Sequence, residues 1–159
     1  MDMHALTLIT NTQARFAPVV IRLVLGIVMF PHGAQHLFGW YGGSGFQQTL
    51  AFFSGAMGLP AFLGALIVFA EFFGAVALIV GAFSRIAALA IGVVMLGAVW
   101  MVHAPNGFFM NWIGTQPGEG FEYHLLVLGL VTAILIAGSG ALSIDRVIAS
   151  RLGRSISTN

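Results

Sequence analysis

Two groups of ionisable or metal-binding residues stand where the surrounding sequence is apolar. Arg22 and Glu71 each lie inside a long apolar stretch, where a charge is costly and marks a function or a specific partner. The second group is Pro31-His32-Gly33-Ala34-Gln35-His36, His103 and Glu122-Tyr123-His124, each at one end of an apolar run. His32 and His36 are four apart and share a helical face with Gly26, Gly33 and Arg22. Pro31 removes one helical hydrogen bond and frees the carbonyl of Ile27 beside them. Neutral imidazoles with a carboxylate suit a divalent metal, for which His36, His103 and Glu122 are the candidate ligands. Two histidines from different helices suit haem. A histidine–carboxylate pair at a bilayer edge suits proton exchange with a quinone head group, because quinone redox couples electrons to protons. With no HExxH or other tight ligand spacing, His32, His36, His103 and Glu122 read first as the lining of a quinone or small-substrate pocket. The plainer alternative is a set of interfacial histidines bonded to loop carbonyls and headgroups.

The elements that position these residues follow from composition. Of the 159 residues 58% are hydrophobic and 7% charged, against about 25% charged in a soluble domain. Six arginines, no lysine and five carboxylates cannot solvate a globule of this size, which excludes a soluble enzyme and a disordered chain. A net charge of +1 gives no field for phosphates, so nucleic acid is excluded as a partner. The absence of cysteine removes disulfides, zinc–thiolate sites, iron–sulfur ligation and thiol catalysis. A crossing helix needs roughly 20 apolar residues. Residues 17–38, 61–81, 86–103 and 121–138 qualify, predicting an all-α, polytopic membrane four-helix bundle in which 1–159 is a single membrane domain. The first 16 residues lack the pattern of a cleaved signal peptide, so the first span reads as retained.

Arginine placement orients the bundle. Arg15, Arg85, Arg146, Arg151 and Arg154 fall at one side, and connections 39–60 and 104–120 contain no Lys or Arg. Short basic loops stay cytoplasmic, so both termini are expected there, with a cytoplasmic tail over 142–159. Phe46, Leu50, Phe53 and Met57 form one apolar face, predicting a short interfacial helix in the first outer loop. Trp40, Tyr41 and Trp112 fit an aromatic belt. Ser143 is a candidate cap for a tail helix bearing Ile144, Val147, Ile148 and Leu152, whose Arg146, Arg151 and Arg154 would touch the inner leaflet. Ala70/Gly74, Ala77/Gly81 and Ala88/Gly92 suit close helix packing, within one bundle or between copies.

Counted from the two cytoplasmic helix ends, Arg22 and Glu71 differ in depth by about 8 Å, which a stretched arginine covers. A buried Arg22–Glu71 pair is therefore one expectation, as a lock between helices or as part of a proton or substrate path, and snorkelling of Arg22 to the inner headgroups is the other. Gly64 and Gly74 share Glu71's face and turn it inward. On the last span Glu122 shares its face with Gly129 and Ala133 while His124 points nearly opposite, so Glu122 is expected to face inward.

Several segments together resemble the DoxX family of small four-helix membrane proteins. They are the Arg22 span leading into PHGAQHLFG, the glutamate span AEFFGAVALIVGAFSR, HAPNGFFMNW, and GEGFEYHLLVLGL running on to GSGALSID. The likeness covers nearly the whole chain in the same order. It departs at His36, where many members carry a lysine-like residue, so a fixed positive charge is not carried over to that position. Ser139 likewise replaces a proline between two glycines. The resemblance implies a multi-pass protein of the bacterial cytoplasmic membrane. Members look like membrane subunits of oxidoreductases, including a thiosulfate:quinone oxidoreductase, and others like maturation proteins for periplasmic redox enzymes. No family catalytic residue carries over.

The leading expectation is thus a membrane subunit of a quinone-linked oxidoreductase or redox-protective complex, embedded in the lipid bilayer. It would act as a homo-oligomer or with a partner redox subunit, with Arg22 and Glu71 as the polar core below the outer cluster. The alternatives are a non-catalytic scaffold or maturation factor for a periplasmic redox enzyme, and a small-solute or proton pathway gated by Glu71.

Overall fold

The computed structural model describes residues 16–156, with side chains as far as Arg151. Arg15 and the side chains of Leu152 and Arg154, used above for orientation and anchoring, lie outside the described residues. Among the described residues every regular element is helical: α1 Ala17–Phe38, α2 Gly45–Gly55, α3 Ala61–Val80, α4 Ser84–Ala98, α5 Glu122–Ala137 and α6 Ile144–Ile156. α4 continues through a π turn, Val99–His103, and a 3-10 turn, Ala104–Asn106, into one rod.

Local chemistry sets these ends. Pro18 occupies the first turn of α1, where an N–H has no helical partner. Gly39 closes that helix in the left-handed region, at φ 74, and donates its N–H to the Gln35 carbonyl. Three rods, Ala17–Phe38, Ala61–Val80 and Ser84–Asn106, are long and apolar enough to cross a membrane. The expected fourth span is shorter: α5 has 16 residues, because Phe121 is non-helical and Gly138 breaks the helix at φ 73. Its length of about 24 Å falls short of the roughly 30 Å of hydrocarbon.

α1 packs on α3, α3 on α4, α4 on α5, and α5 back on α1, closing a ring. Leu25, Met29, Leu78, Ile91, Val127 and Ile134 fill its centre. The outward face is apolar too: Ile27, Leu66, Phe73, Leu89, Val93 and Leu126 are all exposed. A helix apolar on both faces suits hydrocarbon on the outside.

Gly26 and Gly33 set the register of α1 against α3. A Cβ at Gly33 would stand 2.5 Å from the Phe72 Cα, and one at Gly26 would stand 2.8 Å from the Ile79 side chain. The two backbones touch at these points, with Gly33 beside Phe72 and Gly26 beside Ile79. α2 lays its apolar face on α3: the Phe46 ring stacks on Phe69, and Leu50 and Phe53 crowd Gly64.

Candidate functional site

The register of α1 decides the partners of the two buried charges. With Gly33 beside Phe72, Glu71 stands level with Ala34, about 18 Å along the axis from Arg22. α1 begins about two turns beyond the end of α3, so the two helices do not start at a common depth. That offset corrects the expected Arg22–Glu71 pair. Arg22, 2% exposed, instead spreads its guanidinium over four carbonyls. Nε donates to Ser139 O at 3.0 Å, Nη1 to Leu78 O at 2.8 Å and Ile79 O at 2.6 Å, and Nη2 to Leu142 O at 2.7 Å. Leu78 and Ile79 lie in the last turn of α3, whose carbonyls carry the negative end of the helix dipole, and Leu78 O also accepts the Gly81 N–H at 3.2 Å. Arg22 is a clamp for three chain segments.

The same end of the bundle holds Asp145. Its Oδ1 accepts the Phe83 N–H at 2.6 Å, and its Oδ2 accepts the Ser84 N–H at 3.0 Å and the Ser139 hydroxyl. Burial works against its charge, but the hydrogen bonds from Ser139, Ser84 and Phe83 outweigh it and hold the carboxyl below the usual range. Ser143 Oγ accepts the Arg146 N–H at 3.2 Å, capping α6 as its sequence position suggests.

Glu71 takes its partner from the opposite end of α1. His36 Nδ1 and Glu71 Oε2 are 2.5 Å apart, with the glutamate side chain 7% exposed and the histidine 35%. A Cβ tilts toward its helix N-terminus, so Glu71 reaches back along α3 to the turn that carries His36. α2 covers this contact: Thr49 Oγ1 donates to the His36 carbonyl at 3.4 Å, and Phe53 sets its ring edge to His36 at 6.2 Å. One proton lies between an imidazole and a carboxylate in largely apolar surroundings.

The other histidines form a second group across α1, α5 and the end of α4. The His32 ring lies 6.2 Å from Tyr123, Tyr123 5.4 Å from His124, and His124 4.1 Å from His103, centroid to centroid. Tyr123 OH donates to Met29 Sδ at 3.7 Å. His103 Nδ1 lies 2.8 Å from the Glu119 carbonyl, which only accepts, so Nδ1 carries the hydrogen and Nε2 is left as the acceptor of the neutral ring. His124 is buried, and its Nδ1 has no hydrogen-bond partner among the described residues. Packed this closely, the His103 and His124 rings leave no room for an iron and its macrocycle between them.

The four outer candidates therefore separate. His36 goes to Glu71; His32 and His103 join the row through Tyr123 and His124; Glu122 goes to neither. Its Oε1 accepts the Met110 N–H at 3.0 Å and the Trp112 indole N–H at 3.2 Å, so it shapes the connection after α4. Among the described residues no three His, Asp or Glu side chains gather closely enough to hold a metal, and the proposed His36, His103 and Glu122 set is not assembled. The expected inward direction of Glu122 over His124 is corrected as well: the buried face of α5 is His124, Val127, Val131 and Ile134. Small residues suggested the other face, but Gly129 has nothing within 4 Å of a Cβ and looks outward. Tyr123 and His124, which the sequence placed at this end but behind Glu122, are site residues; the signal for His124 was its spacing from Val127 and Val131.

A family model described as DoxX matches residues 17–104, which include Arg22, His32, His36, Glu71 and His103. A Bacillus subtilis (strain 168) protein named "Putative oxidoreductase CatD" is 28% identical over 135 residues, covering 85% of this chain and 89% of that protein. No solved structure matches. The family and the three long apolar rods together make this a multi-pass membrane protein. The matched segment runs over more than half the sequence, from the first residue of α1 past His103, and the chain belongs to the DoxX family.

Proposed function

We propose that this chain is the membrane subunit of a quinone-linked oxidoreductase or redox-protective complex, one membrane domain in the bacterial cytoplasmic membrane. The observation that carries this reading is the His36–Glu71 contact, a proton-holding pair at 2.5 Å under the apolar cover of α2. The relative named an oxidoreductase adds weight to a redox role. Arg85, Arg146 and Arg151 sit on the Arg22 side of the bundle and connections 39–60 and 104–120 carry no Lys or Arg, which supports cytoplasmic termini and an outer-facing His/Glu group. α2 then lies in the outer interface.

A bound quinone supplies electron transfer coupled to protons. His36 and Glu71 are the residues that would hold its head group: the Nδ1–Oε2 contact keeps one proton between them, and Nε2, without a partner among the described residues, would meet an oxygen. The row from His32 to His103 offers a neighbouring set of exchangeable protons between α1, α5 and the outer connection. Electrons enter from a partner redox subunit, and the chain itself holds and orients. Purified protein is expected to retain quinone, and Glu71→Gln to lower the retained amount; equal content in the variant would remove the reading.

A second reading, a scaffold for a periplasmic redox enzyme, draws on the outer connections. Trp112 and Ile113 are 83% and 86% exposed, and Trp40 and Tyr41 in the other outer connection are exposed too. Co-purification of an enzyme that is lost on Trp112→Ala, from protein without quinone, would favour it.

A further inference from the structure

We propose that the Arg22 end of the bundle carries a binding site for the phosphate group of an anionic phospholipid. A groove of about 470 Å³ opens there between the start of α4, the turn after α5 and the start of α6. Arg85 and Arg146 line it from different helices, with Phe83, Ile86, Gly138 and Asp145. This site goes beyond the redox reading and does not depend on it.

Charge and shape commit the groove to one class of occupant. Asp145 is the carboxylate in the lining, and both its oxygens are taken by the Phe83 and Ser84 N–H groups and the Ser139 hydroxyl. Asp145 keeps its charge but forms no ion pair with either arginine among the described residues, so the groove has a net positive charge and the arginine donors stay available. Arg85 is held in place by Leu135 O at 2.9 Å, through Nε, and Ile136 O at 3.2 Å, through Nη2. That leaves its Nη1 free among the described residues. The guanidinium of Arg146 is exposed and has no hydrogen-bond partner among the described residues. Two guanidinium groups with spare donors, beside a glycine turn that lets a ligand approach, suit a phosphate.

The rim is apolar where a soluble phosphate site would be polar. Phe83 and Ile86 are 64% and 68% exposed. From Ile86 the exposed residues Leu89, Val93 and Leu96 follow at helical spacing down the outward face of α4. A headgroup on the arginines would therefore have its acyl chains against a continuous apolar track of about 15 Å. Basic grooves between spans at the membrane boundary bind anionic headgroups by this combination.

The test is native mass spectrometry and thermal unfolding of the detergent-solubilised full chain, titrated with phosphatidylglycerol or phosphatidylcholine. Phosphatidylglycerol is expected to remain bound and raise the melting temperature, and phosphatidylcholine to do neither. Arg146→Gln is expected to weaken phosphatidylglycerol binding about fivefold, the effect of one arginine at a membrane surface. Arg146→Lys should keep most of the binding, and Arg151→Gln, which removes an exposed charge outside the groove, should keep all of it. Inorganic phosphate alone should give no thermal shift. Equal retention of the two lipids, or an equal loss in Arg151→Gln, overturns the site. A shift with inorganic phosphate matching that with phosphatidylglycerol overturns the lipid and assigns a soluble anion instead.

Discussion

His36 Nδ1 and Glu71 Oε2 meet at 2.5 Å across the contact between α1 and α3, less than one turn beyond the point where Gly33 rests on Phe72. The polar pair depends on the glycine. Without a Cβ at position 33 the two backbones close to contact, and that closeness places a mid-helix carboxylate within reach of a histidine near the end of its neighbour.

Gly33→Ala is therefore expected to destabilise the bundle by about 1–3 kcal/mol, because the new methyl meets backbone that cannot swing aside. Gly97→Ala is the control: nothing lies within 4 Å of its Cβ, and it should leave the melting temperature unchanged or raise it slightly. Thermal unfolding in detergent reads both.

Arg22→Met is expected to cost about 3–5 kcal/mol, since it strips four carbonyls of a buried charged donor. Lysine has too few donors to reach all four, so Arg22→Lys should fall between methionine and wild type. A double-mutant cycle of Arg22 with Glu71 should show coupling under about 0.5 kcal/mol, as for distant sites. The same cycle for His36 with Glu71 should show clear coupling.

Asp145 makes part of the stability depend on pH. Its folded-state carboxyl sits below the unfolded value, so its contribution is fully present above the unfolded range near 4. It is lost as pH falls through the lower folded value. Wild type should therefore lose melting temperature on acidification over that interval. Asp145→Asn should melt lower at pH 7 and vary less over the same interval; parallel curves would sink the assignment.

Much of the fold was legible because the signals were long and one-dimensional. Apolar runs gave the helices α1, α3 and α4. The spacing of Phe46, Leu50 and Phe53 gave the inward face of α2. The site was less legible because it depends on offsets between helices. The assumption that α1 and α3 start at one depth put Arg22 beside Glu71, whereas the Gly33–Phe72 contact shifts Arg22 to the mouth of α3. Glu122 looked like a cluster member because its loop partners, Met110 N and Trp112 Nε1, carry no sequence signature of their own. His124 was ranked behind Glu122 because glycine and alanine on the other face were taken for the packing side.

The His36–Glu71 pair and the neighbouring histidine row are proposed to hold a quinone. The most direct measurement is quinone content per chain, by mass spectrometry of matched preparations of wild type, Glu71→Gln, His103→Ala and the Gly97→Ala control. Quinone is expected in wild type and in the control, with a clear loss in both site variants while all four remain folded. Equal quinone in all four, or none in folded wild type, would contradict it.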